Sequence, residues 1–135
     1  VAAQCIGIAQ ASYEAAVKYA KVRKAFGKTI SEFQSIQNMI ADMATDIQAA
    51  RLLVLEAATL KDNNLEFITQ ASMAKLLASK VAVDCANKSM QIHGGAGYFA
   101  PNDIERYYRD AKVTEIYEGT TQIQQMIIAR NLLNL

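Results

Sequence analysis

From Val1 to about Lys24, Ala2, Ile6, Ala9, Tyr13, Ala16 and Ala20 recur at alternating steps of four and three. That period places side chains on one face of a helix. Gly27 interrupts it within Ala25-Phe26-Gly27-Lys28-Thr29-Ile30, and Ser31 with Gln34 has the spacing of a capping box. A second helix is predicted from about Glu32 to Lys61, with Phe33, Ile36, Ile40, Met43, Ile47, Ala50, Val54 and Ala57 on one stripe. The turn formers Asp62-Asn63-Asn64 end it. A third runs from about Phe67 to Ile92, striped by Ala71, Ala74, Ala78, Val81 and Cys85, small enough to let a neighbouring helix come close. Gly94, Gly95 and Gly97 break it. Pro101, Asn102 and Asp103 open a short helix to about Lys112. Thr121 and Gln124 repeat the capping-box spacing and start a last helix to about Leu133, with Ile123, Ile127, Ile128 and Leu132 as its apolar positions.

Each of the three long helices would extend ~36–45 Å. Continuous stripes joined by short connections predict an all-α fold, an antiparallel up-down four-helix bundle of the first three helices and the last. One short extra helix would pack across an end, and no paired sheet is expected. With 135 residues the chain reads as a single domain, 1–135, and 52% apolar against 20% charged residues supply a core. The net charge of +1 lacks the basic excess of a nucleic-acid binder. No run approaches the ~18 apolar residues of a membrane span. The chain opens without Met and already in helical register, which reads as part of something longer.

His93 is the sole histidine. A di-metal carboxylate bundle needs Glu three residues before a ligating His on two helices, whereas Met90 stands there, so no metal site is expected. Cys5 and Cys85 lie on apolar stripes and read as small core residues. His93-Gly94-Gly95-Ala96-Gly97-Tyr98 fits either an anion cradle of backbone N–H groups or a helix C-cap with a sharp turn. Arg23 and Lys24 fit either complementarity to a helix C-terminus or a pyrophosphate contact. Glu118, in Ile116-Tyr117-Glu118-Gly119-Thr120-Thr121, fits equally a carboxylate complementing the next helix and a general base presented to a cleft.

Longer strings go further. Tyr19-Ala20-x-x-Arg23-Lys24-Ala25-Phe26-Gly27-Lys28-x-Ile30, followed by Phe33-Gln34, resembles the arginine-phenylalanine-glycine turn of acyl-CoA dehydrogenases. Gln91-Ile92-His93-Gly94-Gly95-Ala96-Gly97-Tyr98 resembles their second flavin-binding loop. The run from Tyr107-Tyr108-Arg109-Asp110 through Ile116-Tyr117-Glu118-Gly119-Thr120-Thr121-Gln122-Ile123-Gln124 resembles their most diagnostic segment. All three stand in family order and spacing, and match the C-terminal helical domain. The family's N-terminal helical and middle β domains have no counterpart here. Ala49-Ala50-Arg51-Leu52-Leu53 with Ala58-x-x-Lys61-Asp62 is most similar to short-chain or butyryl types.

The resemblance implies a flavin-dependent α,β-dehydrogenation of an acyl-CoA thioester to the 2-enoyl-CoA. Glu118 would take the α-proton, FAD would accept the β-hydride, and the Glu118 backbone N–H would help bind the thioester carbonyl. Arg23, Ala25, Phe26, Phe33 and Gln34 correspond to the turn on a neighbouring subunit's FAD, as do Gln91 and Gly95. The family more often has Ser or Thr where this chain has Ala25. Thr120 and Gln122 correspond to residues holding the FAD that Glu118 serves, and Tyr117 and Gly119 to substrate contacts. Implied partners are an electron-transfer flavoprotein and further copies of the chain, as dimer or tetramer. The implied location is cytoplasmic in a bacterium and the mitochondrial matrix in a eukaryote. An acyl-CoA oxidase shares the base, whereas a nitroalkane-oxidizing relative would carry Asp instead. A reading from another class is a helical assembly module that is inactive on its own.

Overall fold

A computed structural model describes residues 1–135. The chain forms α1 (Ala2–Val22), a two-stranded ribbon of β1 (Lys24–Ala25) and β2 (Lys28–Thr29), a 3-10 turn at Ile30–Glu32, α2 (Gln34–Asp62) and α3 (Ile68–His93). A single turn α4 (Gly95–Tyr98), then α5 (Asp103–Val113) and α6 (Thr121–Leu133), complete it. No helix is long and apolar enough to cross a membrane.

The three long helices run up, down and up. Lys88 late in α3 meets Asp42 early in α2 at 3.4 Å, and Tyr19 and His93 stack at the far ends of α1 and α3. α1 and α3 are therefore parallel, and α1 packs more extensively on α3 than on α2. Small side chains permit this: Cys5, Ala9, Ser12, Ala16 and Ala20 are buried on α1, and Ala78, Ala82, Cys85 and Ala86 on α3. Met43 of α2 is the bulkiest fully buried side chain.

That arrangement overturns the four-helix bundle. In such a bundle α1 and α3 would sit diagonally and the last helix would close the square. Here the domain has six packed helices, and the other five pack on α3: α5 lies on α3 and α1, while α6 packs chiefly on α3. Only Gln124 of α6 is buried, and Ile123 and Leu132 of the expected stripe stay exposed. The alanine face of α3 is spent inside the domain. Exposed apolar side chains include several on α2 (Leu52, Leu55) and α6 (Ile123, Met126, Leu132, Leu133).

Three local expectations also fail. α1 stops at Val22 because Arg23 is extended, and the next residues pair as an antiparallel ribbon, Lys24 with Thr29 and Ala25 with Lys28. Phe26 (φ 51°) and Gly27 (φ 82°) make its two-residue turn, and positive φ at both central positions suits the strand twist. The capping box uses Thr29 and Glu32 rather than Ser31 and Gln34, with the Thr29 N–H donating to Glu32 Oε1 at 3.0 Å. At α6, Thr120 rather than Thr121 is the cap: its Oγ1 accepts from the Ile123 N–H at 3.4 Å.

Candidate functional site

The residues singled out by sequence fall into two groups at opposite ends of α3. Lys75 contacts one group and Gln91 belongs to the other; the stretch from Lys75 to His93 measures about 27 Å along the helix.

At the far end of α3, Arg23 and Gly95 line one cavity of ≈ 510 Å³ with Tyr19, Ile30, Ile92, His93, Gly94 and Ala96. Gln91 and Gly95 line a neighbouring one of ≈ 230 Å³ with Asn87, Met90, Gly94 and Tyr98. Arg23 and Gln91 are exposed, and Arg23 takes part in no ion pair. A Cβ on Gly95 would meet nothing within the chain, so packing inside the domain does not demand the glycine. Ala25 is half-buried in the ribbon. Phe26 is 96% exposed at its tip, its ring edge-on to Phe33 at 6.2 Å. Lys28 Nζ stands 4.5 Å over the Phe33 ring, and Gln34 is exposed at the start of α2.

His93 is buried, and its Nδ1 lies 2.8 Å from the Ser89 carbonyl. Burial pulls its pKa down, against the smaller opposing effect of that hydrogen bond.

The other group occupies the turn between α5 and α6. Thr114, fully buried, ends α5 by donating Oγ1 to the Ala111 carbonyl at 2.6 Å. The Thr121 N–H closes the turn on the Glu115 carbonyl at 3.0 Å. Glu118 (φ 53°) and Gly119 (φ 91°) are both left-handed, and a Cβ on Gly119 would come within 2.6 Å of Gln124 Nε2. The Glu118 carboxylate is exposed and in no ion pair. Tyr117 Oη donates to Gln4 Oε1 at 2.7 Å, tying the turn to α1. Thr120 and Gln122 stand beside it, the first half-buried and the second exposed.

The sequence reading missed two participants. Lys75 Nζ donates to the Gly119 carbonyl at 2.6 Å, and Gln124 Nε2 lies 3.3 Å from both the Glu118 and Gly119 carbonyls. Lys75 had a signal: it stands four after Ala71 and three before Ala78, a charge set on an apolar stripe. Gln124 turns inward instead of completing a capping box.

The family profile described as "Acyl-CoA dehydrogenase, C-terminal domain" matches residues 1–133. "Caffeyl-CoA reductase-Etf complex subunit CarC" of Acetobacterium woodii is 53% identical over 133 residues, 98% of this chain and 35% of that protein. "Short-chain specific acyl-CoA dehydrogenase, mitochondrial" of Homo sapiens is 50% identical, covering 98% and 32%. The solved structure of butyryl-CoA dehydrogenase from Megasphaera elsdenii superposes with a TM-score of 0.96 at 45% identity, over 98% of this chain and 34% of that one. The chain thus spans about a third of the length of these relatives.

Proposed function

The chain belongs to the acyl-CoA dehydrogenase family, close to its short-chain and butyryl-type members, and on that premise we propose that the protein carrying it oxidises an acyl-CoA thioester to the 2-enoyl-CoA with Glu118 as the base. The observation that carries this reading is the Glu118 turn. A left-handed, non-glycine residue costs of order 1–3 kcal/mol and persists only where its surroundings fix it. Here Lys75, Gln124 and Thr121 fix it, and the carboxylate is left without a cation to neutralise it.

An α-proton of a thioester is weakly acidic, so a positioned carboxylate is needed to remove it. Glu118 accepts that proton. Its backbone N–H, which meets no acceptor in the chain, is available to the thioester carbonyl as negative charge develops there. Tyr117 and Gly119 flank the acyl group. The same carboxyl, once protonated, can return its proton in the reducing direction named for the A. woodii relative.

The donor set fits FAD. Arg23 offers an unpaired guanidinium, suited to bidentate contact with a pyrophosphate, and Gln91 and the open Gly95 backbone lie beside it. FAD when bound supplies the hydride acceptor. Arg23, Ala25, Phe26, Phe33, Gln34, Gln91 and Gly95 would hold a neighbouring subunit's cofactor, and Thr120 and Gln122 the one that Glu118 serves. The separation of the two groups along α3 supports the division, and with it a dimer or tetramer. An electron-transfer flavoprotein would be the acceptor, in a bacterial cytoplasm or a mitochondrial matrix. The domain alone, one third of its relatives' length, would not retain FAD through gel filtration.

The test is Glu118→Gln in the full-length protein, with flavin reduction by butyryl-CoA followed in a single turnover. Loss of general-base catalysis costs about 10²–10⁴-fold with fold and flavin content retained. A carboxylate that only complements α6 would leave reduction intact and cost about 0.3–1 kcal/mol of stability.

A further inference from the structure

The turn that bears Glu118 rests on a buried cation. Lys75 is 6% exposed, and no carboxylate pairs with it. Its Nζ reaches the Gly119 carbonyl at 2.6 Å, and Gln124, 7% exposed, reaches that carbonyl and the Glu118 carbonyl at 3.3 Å each. Two successive carbonyls are thereby drawn inward. A trans peptide directs its N–H opposite to its C=O, so the N–H groups of Gly119 and Thr120 face away from Lys75. Neither meets an acceptor in the chain. The cation also polarises the peptide between Gly119 and Thr120, which strengthens the Thr120 N–H as a donor.

We propose that Lys75 is a positioning residue: by gripping the Gly119 carbonyl it sets the turn so that the Glu118 carboxylate and the outward N–H groups of Gly119 and Thr120 face the reacting thioester together. The inference rests on the reading of Glu118 as the base. A purely architectural role fits poorly. A buried ammonium carries a desolvation cost that one backbone carbonyl only partly offsets, so an apolar side chain of similar volume need not lower stability. Gln124 would continue to satisfy the same carbonyl without it.

The experiment compares the full-length, FAD-loaded protein with Lys75→Met, which keeps the stem and removes the donor, and Lys75→Arg, which keeps a cationic donor. Three quantities are read: single-turnover flavin reduction by butyryl-CoA, the thermal midpoint, and amide hydrogen exchange across Ile116–Gln124. Lys75→Met should reduce flavin roughly tenfold to 10²-fold more slowly, the penalty of a slightly misplaced base. Its midpoint and flavin content should match or exceed the parent's, exchange in the turn should quicken, and Lys75→Arg should recover most of the rate. Reduction within twofold of the parent in Lys75→Met overturns the proposal. So does a slowing that follows a fallen midpoint and is no smaller in Lys75→Arg. Should Lys75→Met not fold, Lys75→Leu, which also lacks a donor, takes its place under the same criteria. Glu118→Gln is run alongside. If it reduces flavin normally, the base assignment fails, and the exchange and midpoint readings still decide whether Lys75 sets the turn.

Discussion

Tyr19 on α1 and His93 at the end of α3 stack with ring centroids 4.3 Å apart and planes 28° from parallel. Both residues line the cavity that Arg23 and Gly95 share. Burial favours the neutral imidazole there. Below its ordinary value of 6.5 the unfolded chain therefore takes up the proton before the folded one does. The contribution to stability is fully present above that pH and declines as pH falls through the window toward the lowered folded value. The thermal midpoint should drop as pH falls below the ordinary imidazole value of 6.5, and His93→Phe, which keeps the stack, should flatten that decline. A pH titration of both proteins by circular dichroism checks it.

Gly119→Ala should destabilise the protein by more than about 1 kcal/mol, because the residue sits at positive φ and a Cβ would displace Gln124 from the turn. Denaturant midpoints of the two proteins measure the loss. Flavin reduction should slow as well, since the Glu118 turn loses one of its two side-chain donors.

Arg23→Leu should leave stability within about 0.5 kcal/mol, as expected of an exposed side chain away from packing, and loosen FAD. A charge-assisted hydrogen bond contributes about 1.5–3 kcal/mol, which is roughly tenfold to 150-fold in the dissociation constant. Flavin release from the full-length protein on serial dilution reads it directly.

The Cys85 thiol, pushed up to about 12 by burial and next by the nearby Asp84, should resist alkylation near neutral pH. Iodoacetamide followed by mass spectrometry should find it unmodified in native protein and modified in denaturant. Native labelling would mean that the α1–α3 interface opens readily.

The long helices were legible because apolar period alone specifies them: α2 and α3 begin and end within two residues of where their stripes predict. Their partnership was not, because a stripe names a buried face without naming its neighbour. α3 is small on more than one side, and that let α1 settle on it and left α6 outside. Caps failed where two candidates compete within a few residues. Thr29 wins over Ser31 since the carboxylate of Glu32 stands three residues after it and is a stronger acceptor than the amide of Gln34. At the site, Glu118 could be singled out by its setting between Tyr117 and Gly119. Lys75 is far away in sequence, and only the fold brings its ammonium beneath Gly119.

The parallel packing of α1 on α3 sets an order of events during synthesis. α2 and α3 are adjacent in sequence and antiparallel, so they can pair as a hairpin at low loop-closure cost. The alanine face of α1 finds its main partner only after all of α3 has emerged. Until then α1 has only its smaller contacts with the 3-10 turn and α2, and the Arg23 and Gln91 groups are not yet in register with each other. Non-local contact of this kind slows folding relative to a bundle of sequential hairpins. It also makes docking of the first helix the event that completes the far cavity.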